Sequence, residues 1–243
     1  MCDPVIDTPA LRVSNLTKDF GGLRAVDQIS FHVGKGELVG LIGPNGCGKT
    51  TTFNCISGML AMTSGKVEVL GKNASSLRPD QIQKLGLTRT FQHTWLWRDM
   101  TVVENLMVSQ HCRTSQLFVG ALFQTKAFKK EEREIRERAE EILAFFGTRL
   151  TGYRLDQPAF ALSYANRRRL EIARAMATQP RLLLLDEPVA GMNPMETAEL
   201  TGLIGRLRDE WGFTIVFIEH DMKVVRDVSD RVVVLDHGVP LAE

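Results

Sequence analysis

Long apolar runs are missing from this chain. The longest, such as Leu182 to Leu185 and Val232 to Leu235, fall far below the ~20 residues that a bilayer-spanning helix needs. No segment is expected to cross a membrane. An excess of one charge is missing as well: 30 Lys and Arg face 29 Asp and Glu, a formal net charge of +1. That balance gives no global electrostatic reason to bind nucleic acid or an anionic membrane surface, so any membrane link is expected to run through a partner. The N-terminus, Met-Cys-Asp-Pro-Val-Ile-Asp, lacks the basic region and apolar stretch of a secretory signal, which leaves Cys2 without the context of a lipid anchor. Cysteine is sparse. Cys47, Cys55 and Cys112 show no Cys-x-x-Cys spacing, and His32, His93, His111 and His237 show no metal-ligand spacing. Reduced thiols are the default expectation, and neither an internal repeat nor a low-complexity linker interrupts the chain.

What is present is a cluster of glycines. Residues 43 to 51 read Gly-Pro-Asn-Gly-Cys-Gly-Lys-Thr-Thr, which fits G-x-x-x-x-G-K-[ST] between the apolar run Leu38–Ile42 and a helix-compatible stretch, Thr50 to Leu60. Gly43, Gly46 and Gly48 let the backbone turn tightly so that its N–H groups face inward, and the following helix adds its positive end. This is a phosphate cradle. Its expected nucleotide contacts are Gly43, Pro44, Asn45, Gly46, Cys47, Gly48, Lys49, Thr50 and Thr51. Lys49 is expected to reach the β- and γ-phosphates and the Thr50 hydroxyl to ligate Mg²⁺. A thiol beside a helix N-terminus has a lowered pKa, so Cys47 is expected to alkylate unless nucleotide protects it.

Leu38–Ile42, Leu182–Leu185 and Thr214–Glu219 are nearly continuous apolar segments, as strands covered on both faces are. They predict an α/β fold with a parallel central sheet. Weaker strands around Leu11–Leu16, Ile29–Val33 and Lys66–Leu70 predict an antiparallel β subdomain. From Thr101 to Gly147 the pattern is helical, with Phe128, Ile135, Ala139, Ile142 and Phe146 on one face and mixed charges, such as Glu132–Arg136 and Glu134–Arg138, on the others. A helical subdomain is expected at about 93–165, inserted into a single domain, 11–243, whose core and β subdomain occupy about 11–92 and 166–243. The strand Arg181-Leu-Leu-Leu-Leu-Asp-Glu-Pro188 ends in two carboxylates on the rim of the cradle. There Asp186 is expected to hold Mg²⁺, directly or through water, and Glu187 to polarise the attacking water.

The cradle, a Gln closing Thr88-Arg-Thr-Phe-Gln92, the segment Leu162-Ser-Tyr-Ala-Asn-Arg-Arg-Arg-Leu-Glu-Ile-Ala-Arg174, the Asp186-Glu187-Pro188 strand end and Glu219-His220-Asp221 stand in one order. Together they resemble the ATPase subunit of ABC transporters, a P-loop NTPase, over essentially the whole chain. The resemblance implies Phe20 as the aromatic that stacks on adenine, Gln92 as a contact to Mg²⁺ and water, and His220 as the group that touches the γ-phosphate and orients Glu187. It implies ATP with Mg²⁺, a second ATPase chain of the same or a related kind, and catalysis by Glu187, His220 and Lys49. Ser163, Tyr164, Ala165 and Asn166 match the signature that closes over the opposite subunit's nucleotide. Ser163 is a natural N-cap, and its helix points a positive end outward. This signature departs from Leu-Ser-Gly-Gly-Gln: Tyr164 and Ala165 replace the glycines and Asn166 the glutamine, which implies weak but competent turnover. Cys47 stands where alanine is usual.

Arg89 to Leu106, the Tyr164 variant, Ala190-Gly-Met-Asn-Pro-Met-Glu196 and Ile218-Glu-His-Asp-Met222 look like the ATPase of bacterial branched-chain amino acid importers. Related importers of urea, amides or other amino acids are the near alternatives, and a soluble ABC protein acting on nucleic acid or ribosomes the remote one. The likeness implies integral-membrane permeases, a periplasmic binding protein that selects the cargo, and a place on the cytoplasmic face of the inner membrane, reached through the permeases and without nucleic acid. Trp95, Leu96 and Trp97, with the segment to Met100, are the expected permease contacts. Similar subunits run past Pro240-Leu-Ala-Glu243, so a longer natural C-terminus is expected.

Overall fold

A computed structural model describes residues 8–91, 96–110 and 125–242. The chain opens with β1 (Leu11–Phe20), β2 (Leu23–Val33), β3 (Leu38–Ile42), α1 (Lys49–Ile56), β4 (Ser64–Val69), β5 (Lys72–Asn73), α2 (Pro79–Leu85) and β6 (Leu87–Arg89). Helices α3 (Val102–Ser109), α4 (Lys126–Phe145) and α5 (Tyr164–Ala177) follow. It closes with β7 (Leu182–Asp186), α6 (Pro194–Trp211), β8 (Thr214–Ile218), α7 (Met222–Val228), β9 (Arg231–Asp236) and β10 (Val239–Ala242). Two compact units result, one of residues 1–92 and 180–243, the other of residues 93–179.

The first unit carries two sheets, ordered β2-β1-β4-β5 and β10-β9-β3-β8-β7-β6. The smaller is antiparallel; in the larger, β9, β3, β8, β7 and β6 run parallel and only β10 is antiparallel to its neighbour. This is the expected α/β architecture with a parallel central sheet and an antiparallel β subdomain. All residues of β7 and β8 are buried, which is why they read as unbroken Leu-Leu-Leu-Leu and Ile-Val-Phe-Ile. The first two strands of the β subdomain are longer than expected. The hairpin closes on the two-residue loop Gly21-Gly22, with Phe20 paired to Leu23. Register shifts at three places in β1 interrupt its alternation, so its second half reads as polar. Helix α1 stops at Ile56 rather than at Leu60. Gly58 turns the chain at φ 71, where an added Cβ would lie 2.6 Å from Leu77 O. Phe53 and Ile56, one turn apart, bury the inner face of α1 with Leu41, Leu184 and Val216. Removing a buried ring of that kind costs about 3–5 kcal/mol, so the helix that begins at Lys49 is firmly anchored.

In the second unit α3, α4 and α5 pack on one another. The boundary expected at 165 falls inside the first turn of α5, because α5 buries its apolar face among these helices; the chain passes between units after Gln179. On α4 Ala139 and Ile142 are buried, as is Phe146 at its C-cap. Among the helix's ion pairs are Lys130–Glu134 at 3.7 Å and Arg136–Glu140 at 2.8 Å, i,i+4 pairs of the kind expected in which Glu134 and Arg136 meet other partners. Residues 98–103 are tied by backbone hydrogen bonds to 155–160, among them Ala159 N–H to Met100 O at 2.9 Å and Phe160 N–H to Arg98 O at 3.0 Å. That strap leads directly into Ser163.

Candidate nucleotide site

Three adjacent parallel strands deliver the first unit's site residues to one rim. In register, Ile218 of β8 stands level with Leu41 of β3 on one side and Asp186 of β7 on the other. The cradle therefore leaves β3, the carboxylates end β7, and Glu219-His220 ends β8, all at the carboxyl edge of the sheet. Gly43 has φ 148 and Gly48 φ 99, and an added Cβ on Gly48 would lie 2.6 Å from Ala25 O, so both positions exclude a side chain. Gly48 caps α1 with no side-chain hydrogen bond, which leaves the first-turn N–H groups open to an anion. The Lys49 ammonium folds back along the loop, donating to Gly43 O at 2.7 Å and Pro44 O at 2.8 Å. Pro44, Asn45, Gly46 and Thr50 are exposed and Thr51 half-buried. Cys47 is 3% exposed, with Sγ 3.7 Å from Lys49 Nζ. Burial removes the access that alkylation of that thiol requires.

Asp186 is buried and its two oxygens differ. Oδ2 accepts from Arg89 Nη2 at 2.7 Å, whereas Oδ1 is enclosed without a hydrogen-bond partner. A buried carboxylate oxygen without a donor is costly unless something positive meets it. Among the described residues no group of three or more His, Cys, Asp or Glu could hold a metal. A carboxylate oxygen and the Thr50 hydroxyl are hard ligands, of the chemistry that would suit Mg²⁺ with phosphate oxygens and water. Glu187 follows in the left-handed region, φ 47. A non-glycine residue there costs about 1–2 kcal/mol, and strain of this kind gathers at functional positions. Its N–H donates to Ile218 O at 3.0 Å, extending the β7–β8 ladder. Its carboxylate Oε1 lies 3.1 Å from His220 Nε2.

Two residues with structural parts in this site went unassigned in the sequence. Glu219 is buried, with Oε1 accepting from Val189 N–H at 3.0 Å and Oε2 from His220 N–H at 3.2 Å. It pins the turn after Glu187 to the end of β8, and burial pushes its carboxyl above the ordinary range despite those two donors. A charge closing an unbroken apolar strand was the available signal. Arg89 is the other; nothing in Leu-Thr-Arg marks it. Asp221 caps α7, its Oδ1 accepting from Lys223 N–H at 2.9 Å. Phe20, at the hairpin tip, is 48% exposed, with Lys18 Nζ 5.0 Å above its ring. It is not a core residue. Gln92 and Trp95 lie outside the described residues.

The signature lies in the second unit. Ser163 caps α5, its Oγ accepting from Asn166 N–H at 3.3 Å. Ala165 is buried and Tyr164 exposed, with Arg168 5.6 Å from the Tyr164 ring. Asn166 points inward, its Oδ1 accepting from Arg169 at 3.1 Å. Leu96 is half-buried, and Trp97 is partly exposed with the Arg174 guanidinium stacked 4.2 Å from its ring.

The ABC transporter family model matches residues 26–190. The high-affinity branched-chain amino acid transport ATP-binding protein BraF of Pseudomonas aeruginosa is 46% identical over 240 residues, covering 97% of this chain and 91% of its own. LivG proteins, described in the same words, are 45% identical in Salmonella typhimurium and 44% in Escherichia coli K12, each over 234 residues, 96% of this chain and 91% of theirs. Among solved structures, the ADP conformation of an ATP-binding cassette of an ABC transporter superposes with TM-score 0.82 at 33% identity, over 97% of this chain and 90% of that one. The dimeric, post-hydrolysis state of another cassette, bound to ADP and Pi, gives 0.79 at 25% identity over 96% and 97%. With a cradle, a strand-end carboxylate pair and a histidine in this order on such a fold, the chain belongs to the ABC transporter ATPase family.

Proposed function

We propose that this chain is the ATP-hydrolysing subunit of a bacterial importer for branched-chain amino acids. The observation that carries the chemistry is the Glu187–His220 contact, 3.1 Å, beside a cradle and a buried carboxylate oxygen that has no hydrogen-bond partner. The cradle N–H groups hold the phosphates. Lys49 exchanges its carbonyl partners for phosphate oxygens, and Phe20 stacks on adenine. Thr50, Asp186 and Gln92 would hold Mg²⁺, which when bound would neutralise phosphate charge. Glu187 accepts a hydrogen bond from the attacking water, while His220 fixes the carboxylate and reaches the γ-phosphate.

Ser163, with the N-terminus of α5, faces the nucleotide of a second ATPase chain, so each site is completed in trans. ATP favours the closed pair and ADP does not; that difference in contact biases the equilibrium that drives the permeases. The cargo identity is supported by the BraF and LivG relatives, and amino acid selection falls to the periplasmic binding protein and the permeases. No helix among the described residues is long and apolar enough to cross a membrane. Attachment at the cytoplasmic face of the inner membrane then runs through the permeases.

The test is Mg²⁺-dependent ATP hydrolysis across protein concentrations, with Glu187→Gln and Lys49→Ala as controls. Turnover that rises faster than linearly with concentration, and falls at least about 100-fold in Glu187→Gln with ATP binding kept, is expected. Equal turnover in the Glu187→Gln protein would overturn the assignment of the base. Binding lost in Lys49→Ala together with no turnover in the parent would point to an obligatory different ATPase partner.

A further inference from the structure

We propose that Arg89 is a positioning residue that aims Asp186 at the cation and locks that carboxylate to the helix behind the cradle. The inference rests on Asp186 being a cation ligand, as proposed above. Arg89 ends β6, and its side chain and that of Asp186 are 5% and 2% exposed. Nη2 donates to Asp186 Oδ2 at 2.7 Å, and Nη1 donates to Asn54 Oδ1 at 2.7 Å and to Ser57 Oγ at 3.1 Å. The rings of Phe53 and Phe91 lie 5.5 and 5.4 Å from the guanidinium carbon and restrain its plane.

One rigid fork therefore joins three segments of the site. They are α1, which starts at Lys49; the end of β7, which carries Asp186 and Glu187; and β6, which Arg89 ends. The neighbouring Thr90 adds a second tie, its Oγ1 accepting from Asp186 N–H at 3.4 Å. A buried ion pair is weak evidence of stabilisation, since apolar residues of like volume often serve as well. Direction is what this pair supplies. Holding Oδ2 with a planar donor leaves Oδ1 at a set angle, and Oδ1 is the oxygen without a partner. A lysine ammonium would keep the charge but lose the fork that reaches Asp186 and Asn54 together.

The experiment is equilibrium binding of TNP-ATP to the purified full chain, titrated with Mg²⁺ and repeated in EDTA, for Arg89→Lys, Asn54→Ala and Asp186→Asn. For Arg89→Lys the half-saturating Mg²⁺ concentration is expected to rise at least tenfold while affinity in EDTA stays within twofold of the parent. Asn54→Ala, which leaves the ion pair but removes the shorter of the two Nη1 hydrogen bonds at α1, is expected to shift the same quantity at least threefold. Unchanged Mg²⁺ half-saturation in both variants overturns the proposal, as does an equal loss of affinity with and without Mg²⁺, which would mark Arg89 as a scaffold residue only. Asp186→Asn separates the two readings. If it keeps the Mg²⁺-dependent gain in affinity, the cation assignment of Asp186 fails whatever the Arg89 variants do.

Discussion

Alanine at Gly43 and alanine at Gly46 pose different problems within one loop. Both residues have positive φ, 148 and 82. A side chain at either position carries backbone strain of about 1–2 kcal/mol. Only Gly43 is also enclosed: an ideal Cβ there would penetrate Leu235 O and lie 2.6 Å from Cys47 Sγ, whereas nothing stands within 4 Å of one on Gly46. Relieving that clash requires the loop or the end of β9 to move, at a further cost of about 1–3 kcal/mol. At about 2–4 °C per kcal/mol for a chain of this size, Gly43→Ala should unfold about 2–12 °C below Gly46→Ala. The assay is thermal unfolding of both variants and the parent without nucleotide, followed by circular dichroism. Equal midpoints, or a lower one for Gly46→Ala, would refute the argument that steric enclosure by β9 sets the shape of the cradle.

Phe20→Ala should weaken ATP binding about fivefold to a hundredfold, the worth of one base stacked on an aromatic ring. Its unfolding midpoint should not move, because the ring is half-exposed at a hairpin tip; lost stability with unchanged affinity would return Phe20 to the core. Glu219 gives a pH dependence. Its carboxyl is raised by burial, so the folded chain holds that proton more tightly than the unfolded chain. The stability this group adds is present below the unfolded carboxyl pKa and is lost as pH rises through the folded one. Denaturant unfolding of Glu219→Gln and the parent from mildly acid to neutral pH should move steadily in favour of the variant; a difference that stays constant with pH would sink the reasoning.

How much of this was legible in the residues follows from what each signal depends on. The strands β3, β7 and β8 are buried on both faces, so burial alone wrote unbroken apolar runs for them, and the glycine spacing of the cradle is set by backbone geometry that only glycine supplies. Those signals are local. Strand β6 has three residues and no period to read, and β1 lost its alternation at its irregular registers. The grouping of α5 with α3 and α4 is a fact about packing partners, which no single helix carries in its own pattern. Arg89 and Glu219 are extreme cases, since a lone charge in sequence predicts solvent, and only the fold brings Asn54 and Asp186 to the one and Val189 to the other. The positive φ of Glu187 has the same origin. Its N–H bonds Ile218 O and its carboxylate meets His220, partners supplied by β8 and the residues after it, so what holds Glu187 in place exists only once the sheet is assembled. A motif thus names the groups that touch nucleotide, while the groups that hold them at the required angles belong to strands far away in sequence.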